Sequence, residues 1–280
     1  MPSDDNPIWH VLDNDQHEVE QNRRYLREMG LVTFIEQLPL LFDSLRRELE
    51  VAPEGVSTPL TCWLNTDGGP TPAPDFVLRV LMFQSAHSQY LHAAAHLLRG
   101  QSLELFGHAR TMIENAGIAY LSRSKPELAS LYLTADGQYQ KLTKSWAILP
   151  KDDPLMGKLN AAFELASSMF HSNFVAVAGK IRTTVSLSES TATFENAMEY
   201  RDREGDGGRL YLRHVAWLIA TTYRVLRVLA ASFSLGESVW HRRMEIFDEE
   251  FHALIDRLGP ETLVFAPGKS SATYEHDTTN

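Results

Sequence analysis

Two charges interrupt the apolar stretch LFGHARTMIENAGIAYL at residues 105–121. At about 100° per residue along a helix, Arg110 and Glu114 fall inside the arc that holds Phe106, Ile113, Gly117 and Leu121, while His108 falls on the opposite side, facing solvent. Arg and Glu four residues apart can pair, but Arg first is the weaker order on an isolated helix, so a surface role explains them poorly. A buried charge without a partner costs several kcal/mol. The pair is therefore expected to be buried or to line a cleft. It serves there either as an architectural ion pair or as a site in which Arg110 holds an anionic group and Glu114 orients it or moves a proton.

The preceding stretch, FVLRVLMFQSAHSQYLHAAAHLL, repeats the anomaly. His87 shares an arc with Phe76, Val80, Phe83, Leu91, Ala94 and Leu98, where a histidine is expected to be a hydrogen-bonded core residue. Two successive helices that each set a polar residue mid-stripe point to a shared polar pocket. His92 and His96 have the i,i+4 spacing that lets two imidazoles share a metal. They lie on the face away from His87 and no third ligand accompanies them, so no metal site is assigned. A third cluster, ELASSMFHSNF, places Ser167, Ser168, His171 and Asn173 on one turn, with His171 at the boundary of the apolar stripe. Such a turn sets helix register or offers hydroxyls, an amide and an imidazole to a neighbour. Candidate ligand-binding residues are thus Arg110, Glu114, His87, His171 and Ser168.

The elements that must hold these residues are helices. Apolar periodicity predicts them over 15–29, 31–50, 75–98, 102–123, 126–148 with a break at Asp136–Gly137, 153–180, 209–235 and 237–258. The Thr-rich 181–200 reads as a short β-hairpin at most. Residues 52–75 pack Pro and Gly too densely for a helix and read as a long loop, whose LTCWL docks as a lid or partner contact. Residues 1–12 and 266–280 read as loose ends, leaving 13–265 as a single helical domain. The fold class is all-α, an irregular multi-helix bundle. In 209–235, Val215, Leu218, Leu226, Leu229 and Phe233 are expected to face inward, with Arg213, Trp217, Arg224 and Arg227 on the other side. Arg213, His214, Arg224 and Arg227 interrupt the run, so it is not expected to span a membrane.

A net charge of -10 disfavours broad attraction to nucleic acid or anionic membrane. The single cysteine, Cys62, excludes an internal disulfide framework. The opening MPSDDNPIWH carries neither a basic cluster nor an apolar run, and a cytoplasmic location is expected. No nucleophile elbow, phosphate loop or dinucleotide fingerprint occurs, and only Glu249 and His252 fit the di-iron Glu-x-x-His spacing. No cofactor is indicated.

The helical order, with RTMIE on one helix and SSMFHSNF on a later one, resembles a group of uncharacterised bacterial all-helical proteins likened to the HEPN superfamily. The resemblance spans about residues 75–235 and carries over Arg110, Glu114, Ser168 and His171 as matching positions. It implies a helical bundle, in a superfamily that includes ribonucleases and defence-related toxins. Those ribonucleases use Arg-x(4–6)-His, and RLYLRH supplies Arg209 and His214. This chain departs from that pattern: Leu210 follows Arg209, and the two side chains point about 140° apart on a helix. The expected function is binding of a partner or a small anionic ligand through a polar inter-helix site, with a HEPN-like ribonuclease or toxin acting on RNA as the alternative. Whether the chain is an enzyme stays open. A homodimer through an apolar face is the expected assembly.

Overall fold

The computed structural model describes residues 7–50, 74–170, 181–187, 192–198, 209–235 and 238–259. In chain order these form α1 (Pro7–Glu28), α2 (Val32–Glu50), α3 (Pro74–Leu98), α4 (Ser102–Leu121), α5 (Glu127–Leu133), α6 (Gly137–Leu142), α7 (Ser145–Ile148) and α8 (Pro154–Phe170). An antiparallel hairpin follows, β1 (Ile181–Leu187) against β2 (Ala192–Met198) with Val185 opposite Phe194, and then α9 (Arg209–Ser232) and α10 (Val239–Leu258). The architecture is an all-α multi-helix bundle. The expected long loop falls largely in 51–73, outside the described residues, as do His171, Asn173 and the tail from 260 onward.

Local chemistry explains the boundaries. α1 begins at Pro7, inside the segment read from sequence as loose, because proline at a first helical position gives up no bonded N–H and presets φ. The break in 126–148 comes where Ala135 takes a positive φ of 52° and the Asp136 carboxylate accepts from Gln138 N at 2.8 Å to start α6. α3 turns back into α4 at Gly100, whose φ of 70° suits glycine. There Gly100 N donates to Leu97 O at 2.9 Å and Gln101 N to His96 O at 2.9 Å, closing the α3 C-terminus.

Buried apolar residues from α1 through α10, α6 excepted, join in one core. Pro39 inside α2 has no N–H to give Ile35 O. The Tyr90 hydroxyl, buried in the core, donates to that carbonyl at 2.7 Å instead, and burial pushes its ionisation far above the usual phenol range. The α9 C-terminus is held by two cations: Arg79 donates to Ser232 O at 2.8 Å and Arg123 to Ala231 O at 2.9 Å. A cation near a helix C-terminus contributes about 0.3–1 kcal/mol. The α10 N-terminus is held by Glu48 of α2, which accepts from Trp240 N at 2.7 Å.

Residues 211–232 of α9 are long and apolar enough to cross a membrane by length and composition, yet 83% of their most apolar window is buried in the bundle. Trp217, expected on the outer face with the arginines, is buried with its ring 4.8 Å from Phe106 of α4. The outward side of α9 therefore holds a second packed face and not solvent alone.

Candidate functional site

α4 is the helix that sorts the polar residues. It shares its most extensive contact with α3, and two side-chain bonds index that seam. Asn115 Nδ2 donates to Ser85 Oγ at 2.9 Å, and His108 Nδ1 bonds Gln89 Oε1 at 2.7 Å. Two residues along a helix turn a side chain by about 200°. His87 is two residues from both Ser85 and Gln89, and Arg110 is two from His108, so each points away from the seam and they face opposite flanks of the α3–α4 pair. The expected shared pocket of Arg110 and His87 is thereby corrected.

Within the seam lies a cluster the sequence reading did not foresee. His108, expected to face solvent, sits between His92 and His96 with ring centroids 5.2 and 5.1 Å away and planes 22° and 16° apart. His96 Nδ1 bonds Gln101 Oε1 at 2.7 Å, so the glutamine oxygens accept from Nδ1–H of both His96 and His108 and leave Nε2 as the basic nitrogen of each ring. Burial, then His96 and His92, push the His108 imidazole below its ordinary value, against a smaller opposing pull from Glu104. Among the described residues no three His, Cys, Asp or Glu side chains are arranged to hold a metal ion.

The other face of α4 meets α8. Arg110 Nε and Glu114 Oε1 are 3.4 Å apart, with 27% and 32% of the two side chains exposed. The pair forms as its spacing predicts, but it is half-buried rather than buried. The Arg110 guanidinium lies 5.2 Å over the Phe163 ring, a cation–π contact that steadies one face of the cation. Gly117, on the same stripe of α4, permits the close approach of α7: a Cβ there would stand 2.8 Å from Ile148 O.

One turn beyond Phe163 on α8 is Ser167, whose Oγ is out of solvent with no hydrogen-bond partner among the described residues. Ser168, the serine expected in the site, is exposed and donates to Leu165 O at 2.9 Å. The step of about 100° between neighbours turns the second hydroxyl outward. On the same helix Glu164 is engaged by Lys151 at 2.8 Å and by Asn160 at 3.0 Å, which hold its carboxyl below the usual range.

His87 stacks on Phe42 of α2, centroids 4.7 Å apart and planes 9° apart. Its Nε2 is buried with no hydrogen-bond partner among the described residues, where a hydrogen-bonded ring was expected. Burial lowers its proton affinity; Arg46 also lowers it and Asp43 opposes. His214 is 1% exposed and meets the Phe106 ring edge-on at 5.2 Å. The His214 ring is thus held inside the bundle and not presented at its surface.

No family model, curated protein or solved structure matches this chain.

Proposed function

We propose that this protein is a binding module whose α4–α8 crossing takes a small anionic group, presented by a free ligand or by a partner. Arg110 is the electrostatic anchor, Glu114 holds its guanidinium when no anion is present, and the Ser167 hydroxyl donates to an anion oxygen. The observation that carries this reading is a partly exposed Arg110 seated on Phe163, together with the Ser167 hydroxyl one turn along α8 from that ring, withdrawn from solvent and without a partner among the described residues. A purely architectural network is expected to be dry and fully paired. This one keeps part of Arg110 in water and, among the described residues, is incomplete at the serine. Phosphate and carboxylate both suit a guanidinium, which binds them through parallel N–H donors.

The test is a thermal-shift titration of the full chain with inorganic phosphate and, separately, acetate. The wild type is expected to gain Tm in a saturable way with one or both anions, as any ligand of the native state produces. Arg110→Gln is expected to fold, since a partly exposed i,i+4 ion pair contributes about 1 kcal/mol or less and glutamine keeps a donor in place. Its affinity for the anion should fall by about tenfold or more, the loss of one charge-assisted hydrogen bond. An equal shift in both proteins, or none in the wild type with either anion, overturns the reading. Cleavage of RNA by the wild type, abolished in a folded His214→Ala variant, would overturn it in favour of a nuclease.

A further inference from the structure

Among the described residues, α2 and α10 flank a surface cleft. It measures about 290 Å³ and is lined by Leu40 and Leu41 on one side and by Arg243, Ile246, Phe247 and Glu250 on the other. Its floor is fixed: Phe247 and Phe251 meet Phe34 at 5.3 Å each, and Phe247 stacks on Tyr223. Its rim is apolar and open. Leu40 is 65% exposed and Ile246 42%, and Val239, 66% exposed, continues the same stripe of α10 one heptad earlier. Single exposed apolar residues need no explanation, whereas three on adjoining positions do.

The charges on α10 say what covers them. Its N-terminal half carries His241, Arg242 and Arg243, and its middle carries Glu245, Asp248, Glu249 and Glu250. Arg243 and Glu250 lie on the outer stripe at equal distances from the midpoint between Ile246 and Phe247. A twofold axis through that midpoint pairs each Arg243 with Glu250 of an antiparallel copy and sets Ile246 opposite Phe247 of that copy. Such an arrangement is isologous, the patch being complementary to itself. A parallel pairing would set like charges together. Arg243 also donates to Ser44 Oγ at 2.8 Å, which holds its stem along the rim of the cleft.

We infer that a second copy of this chain docks on the α2–α10 cleft through antiparallel α10 helices, forming a symmetric dimer. This surface is separate from the α4–α8 crossing and stands without it.

Sedimentation of the full chain across a concentration series tests the inference. The wild type is expected to reach dimer at tens of micromolar. Ile246→Glu, at an exposed position and checked for native circular dichroism, is expected to be monomeric. Arg243→Glu and Glu250→Arg alone should each raise the dissociation constant about tenfold or more, and the double swap should recover most of the loss. A wild type that stays monomeric overturns the inference, whether another protein or the chain's own residues 260–280 cover the cleft. So does a dimer that survives Ile246→Glu, or a double swap that recovers nothing.

Discussion

The two faces of α4 hold polar residues in opposite ways. Toward α3, three imidazoles stack ring on ring, with Nδ1 of His96 and of His108 each tied to a glutamine oxygen. Toward α8, Arg110 and Glu114 keep about a quarter to a third of their surface in water, and one turn beyond the Phe163 ring under Arg110 the buried Ser167 hydroxyl has no partner among the described residues. The first face is a partly buried imidazole stack tied to glutamines, with His92 exposed and the His108 imidazole held below its ordinary value, and the second keeps a cation partly in water beside an apolar ring. One helix can carry both because seven residues bring a side chain back to the same face, while two carry it across. Polarity within an apolar stretch therefore does not identify a site. What distinguishes a site is whether its neighbours finish its hydrogen bonds.

The largest effect is expected where α4 meets α7, on the same stripe of α4 as Arg110. Gly117→Ala puts a methyl against a backbone oxygen, Ile148 O at 2.8 Å, which cannot swing aside as a side chain would. Overpacking of this kind costs about 1–3 kcal/mol. Denaturant titration should show that loss, together with weaker phosphate binding. A change below about 0.5 kcal/mol would mean that α7 packs on α4 less closely than described.

Acid should act on the other two surfaces, the seam and the α2 contact of His87. Both His108 and His87 are pushed below the ordinary imidazole value of 6.5 in the folded chain. The unfolded chain then binds protons first as pH falls, so stability is at its full value above that range and declines through it. It levels once the folded imidazoles also take protons. Denaturation midpoints at about pH 7.5 and about pH 5.5 should show the decline, and His108→Gln should make it shallower. A midpoint that rises toward acid would contradict the direction of these shifts.

Ser167→Ala should have the smallest effect on stability, within about 0.5 kcal/mol and in the stabilising direction, because it removes a buried hydroxyl with no described partner. It should nonetheless weaken phosphate binding. A marked loss of stability would show that the hydroxyl is structurally engaged.

Much of this was readable from residue types. The helices follow from apolar periodicity, the break at Asp136 from its capping chemistry, and the Arg110–Glu114 pairing from spacing alone. The histidine cluster was missed because phase on one helix does not say what covers its back. α3 does so: Ala86, Ala93, Ala109 and Ala116 are buried with little side chain to separate the helices. A signal was present. His92 and His108 each lie eight residues from Gly100, and Ser85 and Asn115 each lie fifteen from it. Equal distances from a tight turn are what an antiparallel helix pair brings together. The partial exposure of Arg110 was not readable, since it depends on how α8 crosses α4, which no local pattern on either helix sets.

The most direct measurement is a nuclear magnetic resonance titration of the full chain with inorganic phosphate at constant pH, following the Arg110 Nε–H signal and the His108 ring together. The Arg110 signal is expected to move and saturate while His108 stays in place, because the two point to opposite faces of one helix. Movement of His108 with Arg110 unchanged would contradict both the separation of the faces and the assignment of the anion to the α8 side.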